Sequence, residues 1–316
     1  MNGSQLFSLS ACLLFACSSS EVTTESVDEG ESLRSRSSAK LTIPVAELSA
    51  LALRLDASGE QELLAAADSS ASVYRASLQG GVFGAFTKID LSAARAAAGV
   101  RGATQWEAMA SDGQGRIFLL EENPGRIFVF DREGSAVEHV ITLSIPTHHP
   151  LARYWAASPN SRGEGMLLLR NGHVLVLKEK DPRSLIEFGP SGEAPTGLTP
   201  ALAVGTSKSF PLPAGASSTY IPLNEWTLGK PNKLPDVSDM SLAPDGGIYV
   251  LSDQGKAIGI VDSDGIDPRR AEVKFSDVVS LPSGVGKPEG LVVLGAGVAL
   301  VATDSSARDN LRVVGW

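Results

Sequence analysis

PEGLVVLGAGVALVATD, residues 288–304, is a pair of apolar strands with a carboxylate set before the first and another behind the second. The same order stands upstream in EAMASDGQGRIFLLEE (107–122), EGMLLLRNGHVLVLKE (164–179) and DMSLAPDGGIYVLSD (239–253). The acids are 14 or 15 residues apart in each copy, and the copies recur every 50 to 75 residues. A repeat of that period belongs to a propeller, a solenoid or an array.

Each copy reads as a hairpin of residues rich in Val, Ile, Leu and Phe, turned at Asp112-Gly113, Asn171-Gly172 or Asp245-Gly246. Third strands follow at 126–130, 184–188 and 257–261, and more amphipathic fourth strands at 136–143 and 270–275. A degenerate first copy runs through 49–53, 63–67, 72–76 and 86–91, with Ser49 in place of the leading acid and Asp68 keeping the trailing one. Four antiparallel strands per repeat is the build of a propeller blade. The expectation is therefore an all-β, five-bladed β-propeller over residues 41–316. Its last blade has three strands, so Leu41-Thr42-Ile43-Pro44-Val45 supplies the fourth and covers two open edges. Residues 193–232, rich in Pro and Gly, read as a long loop plus the outer strand of blade three rather than as a sixth, degenerate blade. A β-sandwich built from the same hairpins would give no reason for the acids to recur in register.

The chain has 316 residues, 43% of them hydrophobic, enough for a large core. Its net charge of -9, with no cluster of Lys and Arg, excludes nucleic-acid binding through phosphate neutralisation and favours cations as partners. The apolar run Leu6–Ala16 is too short to span a bilayer and reads as a signal segment. It ends in Leu14-Phe15-Ala16-Cys17, which resembles the bacterial lipoprotein cleavage box, with Cys17 as the lipidated residue. Phe15 and the lack of a preceding Lys or Arg depart from that pattern. On that reading Cys12 leaves with the signal and Cys17 carries lipid, so no thiol remains for a disulfide or a metal site. Residues 18–40 are polar and too poor in large apolar side chains to order by burial, so they read as a tether.

Antiparallel pairing sets the first residue of one strand beside the last of its partner. Glu107 is therefore expected near Glu122, Glu164 near Glu179, Asp239 near Asp253 and Glu289 near Asp304. If the leading strands are innermost, Glu107, Glu164, Asp239 and Glu289 form a ring at one channel mouth and the trailing acids form a second tier. Carboxylates gathered in this way raise one another's pKa. A hard cation offsets that repulsion, and Ca2+ takes six to eight oxygen ligands in flexible geometry; Asn160 would add a neutral oxygen. Two other readings stay open. The acids could cap loops or pair with Arg126, Lys178, Lys256 and Arg308. Alternatively, two of them, with Glu107 and Glu164 as the candidates, could act as an acid–base pair. His139, His148, His149 and His173 have no zinc spacing, and no nucleophile elbow, P-loop or dinucleotide fingerprint is present. Trp106 reads as a packing residue at the mouth, with a ligand platform as the alternative.

The openings EGM at Glu164, SDM at Ser238 and PEGL at Pro288, with the trailing ENP, KEKDP and LSD segments, make the chain resemble the SdiA-regulated family of bacterial propeller proteins. More loosely, it resembles the esterase-like phytase family. The first resemblance implies a membrane-tethered or exported propeller, and the second implies ester hydrolysis, with calcium assisting. Both place Glu107, Glu164, Asp239 and Glu289 on channel-facing acids and Asp68, Glu122, Glu179, Asp253 and Asp304 on the second tier. The expected protein is a monomeric cell-envelope propeller, held at the membrane by its lipid alone, that binds Ca2+ and presents a face to a small-molecule ligand or envelope protein. The alternative is a metal-dependent phosphate or carboxylate ester hydrolase.

Overall fold

The computed structural model describes residues 37–316 other than 80, 181, 230–232, 263 and 296. The strands fall into five antiparallel units in chain order. Unit one is Leu48–Leu55, Gln61–Ala67, Ser72–Gln79 and Thr87–Asp90. Unit two is Trp106–Ser111, Ile117–Glu121, Arg126–Phe130 and Val137–Leu143. Unit three is Gly165–Leu168, Val174–Lys178, Ser184–Gly189 and Ser217–Leu228. Unit four is Asp239–Leu242, Ile248–Ser252, Ala257–Val261 and Phe275–Ser280. Unit five joins Pro288–Gly295, Val298–Thr303 and Leu311–Gly315 to Ser37–Leu41 from the other end of the chain.

The first strand of each unit packs on the first strand of the next, and that of unit five packs back on unit one, so the inner strands close a circuit. This is a β-propeller. Its core is divided the same way: one apolar cluster fills each gap between neighbouring units, including the gap from five to one. Successive side chains of a strand point to opposite faces. Accordingly, Phe118 and Leu120 pack toward unit three while Ile117 and Leu119 pack toward unit one. Burial on both faces explains why these strands read as unbroken apolar runs. Each such Leu or Phe side chain contributes about 1.5–3 kcal/mol when fully buried.

Three expectations shift. The closing strand is Ser37–Leu41, not 41–45, because Pro44 has no N–H to give a ladder; the tether therefore ends before Ser37. Beyond Leu41 the chain is tied down by Asn310, whose side chain accepts from the N–H of Ile43 and donates to the carbonyls of Ile43 and Val45. In unit four the fourth strand is Phe275–Ser280, while Glu272–Val273 joins the outer strand of unit three in parallel. At the hairpins the left-handed residue is the glycine closing a four-residue turn, Gly115, Gly172 or Gly246, so Asp112, Asn171 and Asp245 keep ordinary backbone angles. Within 193–232, among the described residues, Ser217–Leu228 is the one strand, and its first residues also pair in parallel with Val140–Leu143 of unit two.

Candidate functional site

The leading acids owe their placement to a defect repeated at the start of the inner hairpins. In unit two the pairing runs Trp106 to Glu121 and then Ala108 to Leu120, so Glu107 is left over. Glu289 is left over in the same way in unit five, and Ser49 in unit one. In unit three Glu164 and Gly165 both face Leu177, with the Glu164 N–H donating to its carbonyl at 2.9 Å. A bulge of this kind bends the strand and re-aims the extra side chain. In unit four the N–H that reaches the Leu251 carbonyl at 2.9 Å belongs to Ser238, and Asp239 is the register partner. Ser238 thus holds the bulge position in unit four, and Asp239 stands where Ala108, Gly165 and Gly290 stand elsewhere.

The ring therefore loses one of its expected members. A cavity of about 310 Å³ is lined by Glu107, Glu164 and Glu289, by the trailing Asp68, Glu122, Glu179 and Asp304, and by Asn160, Gln105, Glu47 and Ser49. Asp239 and Asp253 are not among the lining residues. Asp239 is instead a tie between units: its buried carboxylate accepts the N–H of Leu291 in unit five at 2.6 Å and that of Met240 at 2.7 Å. Asp253 pairs with Lys256 at 2.5 Å.

The trailing tier has partners. Glu179 accepts from Lys180 and from the Ser161 hydroxyl, Asp304 pairs with Lys287, and Glu122 accepts the N–H of Arg162 at 3.0 Å. The inner three do not: among the described residues, Glu107, Glu164 and Glu289 accept no hydrogen bond and join no ion pair. Two further oxygens in the lining, Ser49 Oγ and Asp68 Oδ1, are buried without a partner. Of the other bases expected to pair with the acids, Arg126 binds Glu121 rather than Glu122, Lys178 donates to the Lys180 carbonyl, and Arg308 makes no ion pair among the described residues.

Burial, reinforced by the charges of Asp68, Glu122, Glu289 and Asp304, pushes the Glu107 carboxyl up to about 9. Burial, then the charges of Asp253 and Asp304, takes Glu289 to about 8, and burial takes Glu122 to about 7. Glu164 is held well above the usual carboxylate range by burial and then by Glu107. Near neutral pH Glu107 and Glu289 therefore keep their protons, because ionising these neighbours together in a low-dielectric pocket costs more than the solvent returns. Among the described residues no three His, Cys, Asp or Glu side chains enclose a metal-sized space as placed.

Two lining residues had no signal in the acid repeat. Glu47, in the left-handed region at φ 58°, and Gln105 precede the inner strands of units one and two. The remaining candidates are structural. Trp106 is fully buried, with its ring N–H on the Ser70 carbonyl, and is not a platform. His139 bridges the Gly215 carbonyl and the Ser218 hydroxyl, and the His149 ring accepts from Leu151. His173 is clamped between Glu187 (2.6 Å) and Glu193 (2.7 Å). Burial alone would lower its pKa, but the bonds to the two glutamates outweigh burial and raise it.

No family model and no curated protein matches the chain. Among solved structures it is similar to a glutaminyl cyclase from Myxococcus xanthus, at 16% identity and a TM-score of 0.48, over 90% of this chain and 97% of that one. A gluconolactonase from Xanthomonas campestris aligns at 12% identity and a TM-score of 0.46, over 88% and 89% of the two chains. A virginiamycin B lyase from Staphylococcus aureus aligns at 12% and 0.39, over 85% and 72%. The architecture rests on the strand pairing and the closed circuit described above.

Proposed function

We propose that the protein is an exported, lipid-anchored cell-envelope propeller that binds Ca2+ at its acidic mouth and uses the loaded mouth to hold a small-molecule ligand or an envelope protein. The observation that carries this reading is the trio Glu107, Glu164 and Glu289, gathered at the cavity with Glu164 buried and the other two half-buried, whose side chains make no hydrogen bond and no ion pair among the described residues. A cation there replaces the protons and converts mutual repulsion into shared attraction. The donors are oxygens alone, without thiol or imidazole in the lining, which suits a hard ion of six to eight ligands. The unpartnered Ser49 and Asp68 oxygens and the Asn160 side chain complete such a donor set. Because the carboxylates do not enclose an ion as placed, loading turns them inward. Export and anchoring rest on Leu14-Phe15-Ala16-Cys17, which lies outside the described residues, and on the resemblance to the SdiA-regulated propellers.

A second reading, a Ca2+-dependent phosphate or carboxylate ester hydrolase, draws on Glu107 and Glu164, which line the same acidic cavity. Burial holds both carboxyls above the ordinary carboxylate range, which suits one as a general acid, and a bound cation would release the other as the base for water. Bound Ca2+ would polarise the substrate oxygen.

The test is the melting temperature of the full chain in EDTA and then in millimolar Ca2+. A ligand at about 100 times its Kd adds about 2.7 kcal/mol to the native state, which raises the midpoint of a chain this size by about 4–5 °C. The rise is expected to vanish in the double variant Glu164→Gln, Glu289→Gln. An unchanged midpoint with Ca2+, Mg2+ and Mn2+ would contradict the reading. Ester turnover that is lost in Glu164→Gln while the fold is retained would select the hydrolase.

A further inference from the structure

A second cavity, of about 350 Å³, opens at the other end of the inner strands. It reaches Ser111 and Leu242, the last residues of their inner strands, and the turn residues Ala243, Pro244 and Gly246. Its lining contains no Asp, Glu, Lys, Arg or His, in a chain whose residues are 20% charged. The chain has four methionines, and all three beyond Met1 line this cavity. Met109, Met166 and Met240 each stand two residues after a bulge position, where Leu51 and Leu291 stand in units one and five. Every unit therefore contributes one long, unbranched or γ-branched apolar residue to the cavity lining, each at the edge of a different inter-unit apolar cluster. Methionine there gives a surface that reshapes around an apolar guest at little cost.

The cavity is also built rather than left over. Its rim is the segment Pro200–Ser207, which is fastened down at several points. The fully buried Asp112 carboxylate accepts the N–H of Phe210 at 2.9 Å and the guanidinium of Arg116 at 2.6 Å. Gly113 donates to the Lys208 carbonyl at 2.7 Å, and Val204 to the Leu168 carbonyl at 2.8 Å. A side chain at Gly113 would meet the Lys208 backbone nitrogen at 2.7 Å, so the close approach of this loop depends on that glycine. At the opening, Gln61, Thr206 and Ser207 line the cavity with side chains that form no hydrogen bond among the described residues. A preformed, mainly apolar cleft of about 300–1,000 Å³ with a few unused polar groups at its edge is the ordinary form of a small-molecule site.

We propose that this second mouth binds a neutral, mostly apolar small molecule of one or two rings carrying a single hydrogen-bonding group, with the rings among the methionines and the polar group at Gln61, Thr206 and Ser207. An apolar void of about 150 Å³ already holds benzene, so the volume here admits a fused pair of rings. The site is separate from the acidic mouth and does not rest on the cation reading.

The experiment is a titration of the full chain, labelled with 13C at the methionine methyls, with 2-naphthol as the probe. Each Met→Leu variant assigns one resonance. The expected result is that the resonances of Met109, Met166 and Met240 move together on one saturating isotherm while Met1 stays in place. Thr206→Trp, at the half-exposed rim, should weaken that isotherm at least tenfold and leave the melting temperature unchanged; Gln61→Trp serves the same purpose if the first variant fails to fold. The proposal is overturned if the three resonances stay still up to the solubility limit of the probe, if only Met1 shifts, or if both rim variants bind as the parent does.

Discussion

The two mouths of this propeller are made from the same five inner strands, yet one is lined by seven Asp and Glu side chains besides Glu47 and the other by none. The difference lies in two positions of one repeat: the bulge residue, Ser49, Glu107, Glu164, Ser238 or Glu289, and the residue two places on, Leu51, Met109, Met166, Met240 or Leu291. Two residues along a strand is about 6–7 Å, so chemistry reverses within the length of one side chain. The bulge makes this possible, because it frees the acid from the strand's alternation without disturbing the apolar register that follows. The acidic lining of one mouth and the apolar lining of the other are thus set by separate positions of the repeat.

Asp239 is where the comparison breaks most sharply, since it is an acid in the position of a small residue. If it is a tie and not a ring member, Asp239→Ala leaves the N–H groups of Leu291 and Met240 without their acceptor. The expected loss is about 3 kcal/mol, read by denaturant unfolding, at about 1–3 kcal/mol for each buried group left unsatisfied. Asp239→Asn keeps only one of the two acceptor oxygens, because Met240 and Leu291 donate to different ones, and should lose about half as much as Asp239→Ala. Neither change should alter the response to Ca2+; a lost response in Asp239→Asn would return this residue to the ring.

The acidic mouth carries a smaller, pH-dependent effect of opposite sign. Its carboxyls have folded pKa values above the unfolded one, so their favourable contribution is complete below about pH 4.5 and is lost as the pH rises through the folded values of about 8 for Glu289 and about 9 for Glu107. In EDTA, stability should fall between pH 5 and pH 9, and Glu107→Gln should flatten that slope and gain on the order of 2 kcal/mol at pH 8. A slope unchanged by Glu107→Gln would mean that the buried acids are not the titrating groups. The smallest effect belongs to the rim of the apolar mouth: Thr206→Trp should change unfolding by no more than about 0.5 kcal/mol and leave the Ca2+ response intact, showing the two mouths to be independent.

Much of this was legible in the sequence. The acid-flanked hairpins, their period and their unbroken apolar strands gave the propeller, because each strand is buried on both faces and shows it. Six of the eight ring and second-tier acids assigned to a metal line the acidic cavity, along with Asn160. The misplacement of Asp239 came from matching acid to acid; matching Met240 to Met109 and Met166 puts Ser238 at the bulge position and Asp239 one residue past it. The closing strand was harder to see because Ser37–Leu41 is mostly polar in sequence and joins the sheet by pairing with Leu311–Gly315, far away along the chain. The fourth strand of unit four was misread because Arg270–Phe275 alternates better than Phe275–Ser280, although the latter is the segment that reaches the ladder. Glu47 joins the cavity through a left-handed backbone turn, which no periodicity reports.

The central claim is that the unpartnered trio Glu107, Glu164 and Glu289 exchanges protons for a cation. It is tested most directly by calorimetric titration of the full chain with Ca2+ at pH 7.5 in two buffers of different ionisation enthalpy. The account predicts saturable binding whose heat differs between the buffers, because protons leave Glu107 and Glu289 as the ion enters. Binding should be lost in the variant Glu164→Gln, Glu289→Gln. Absence of binding, or binding that releases no proton, would contradict it.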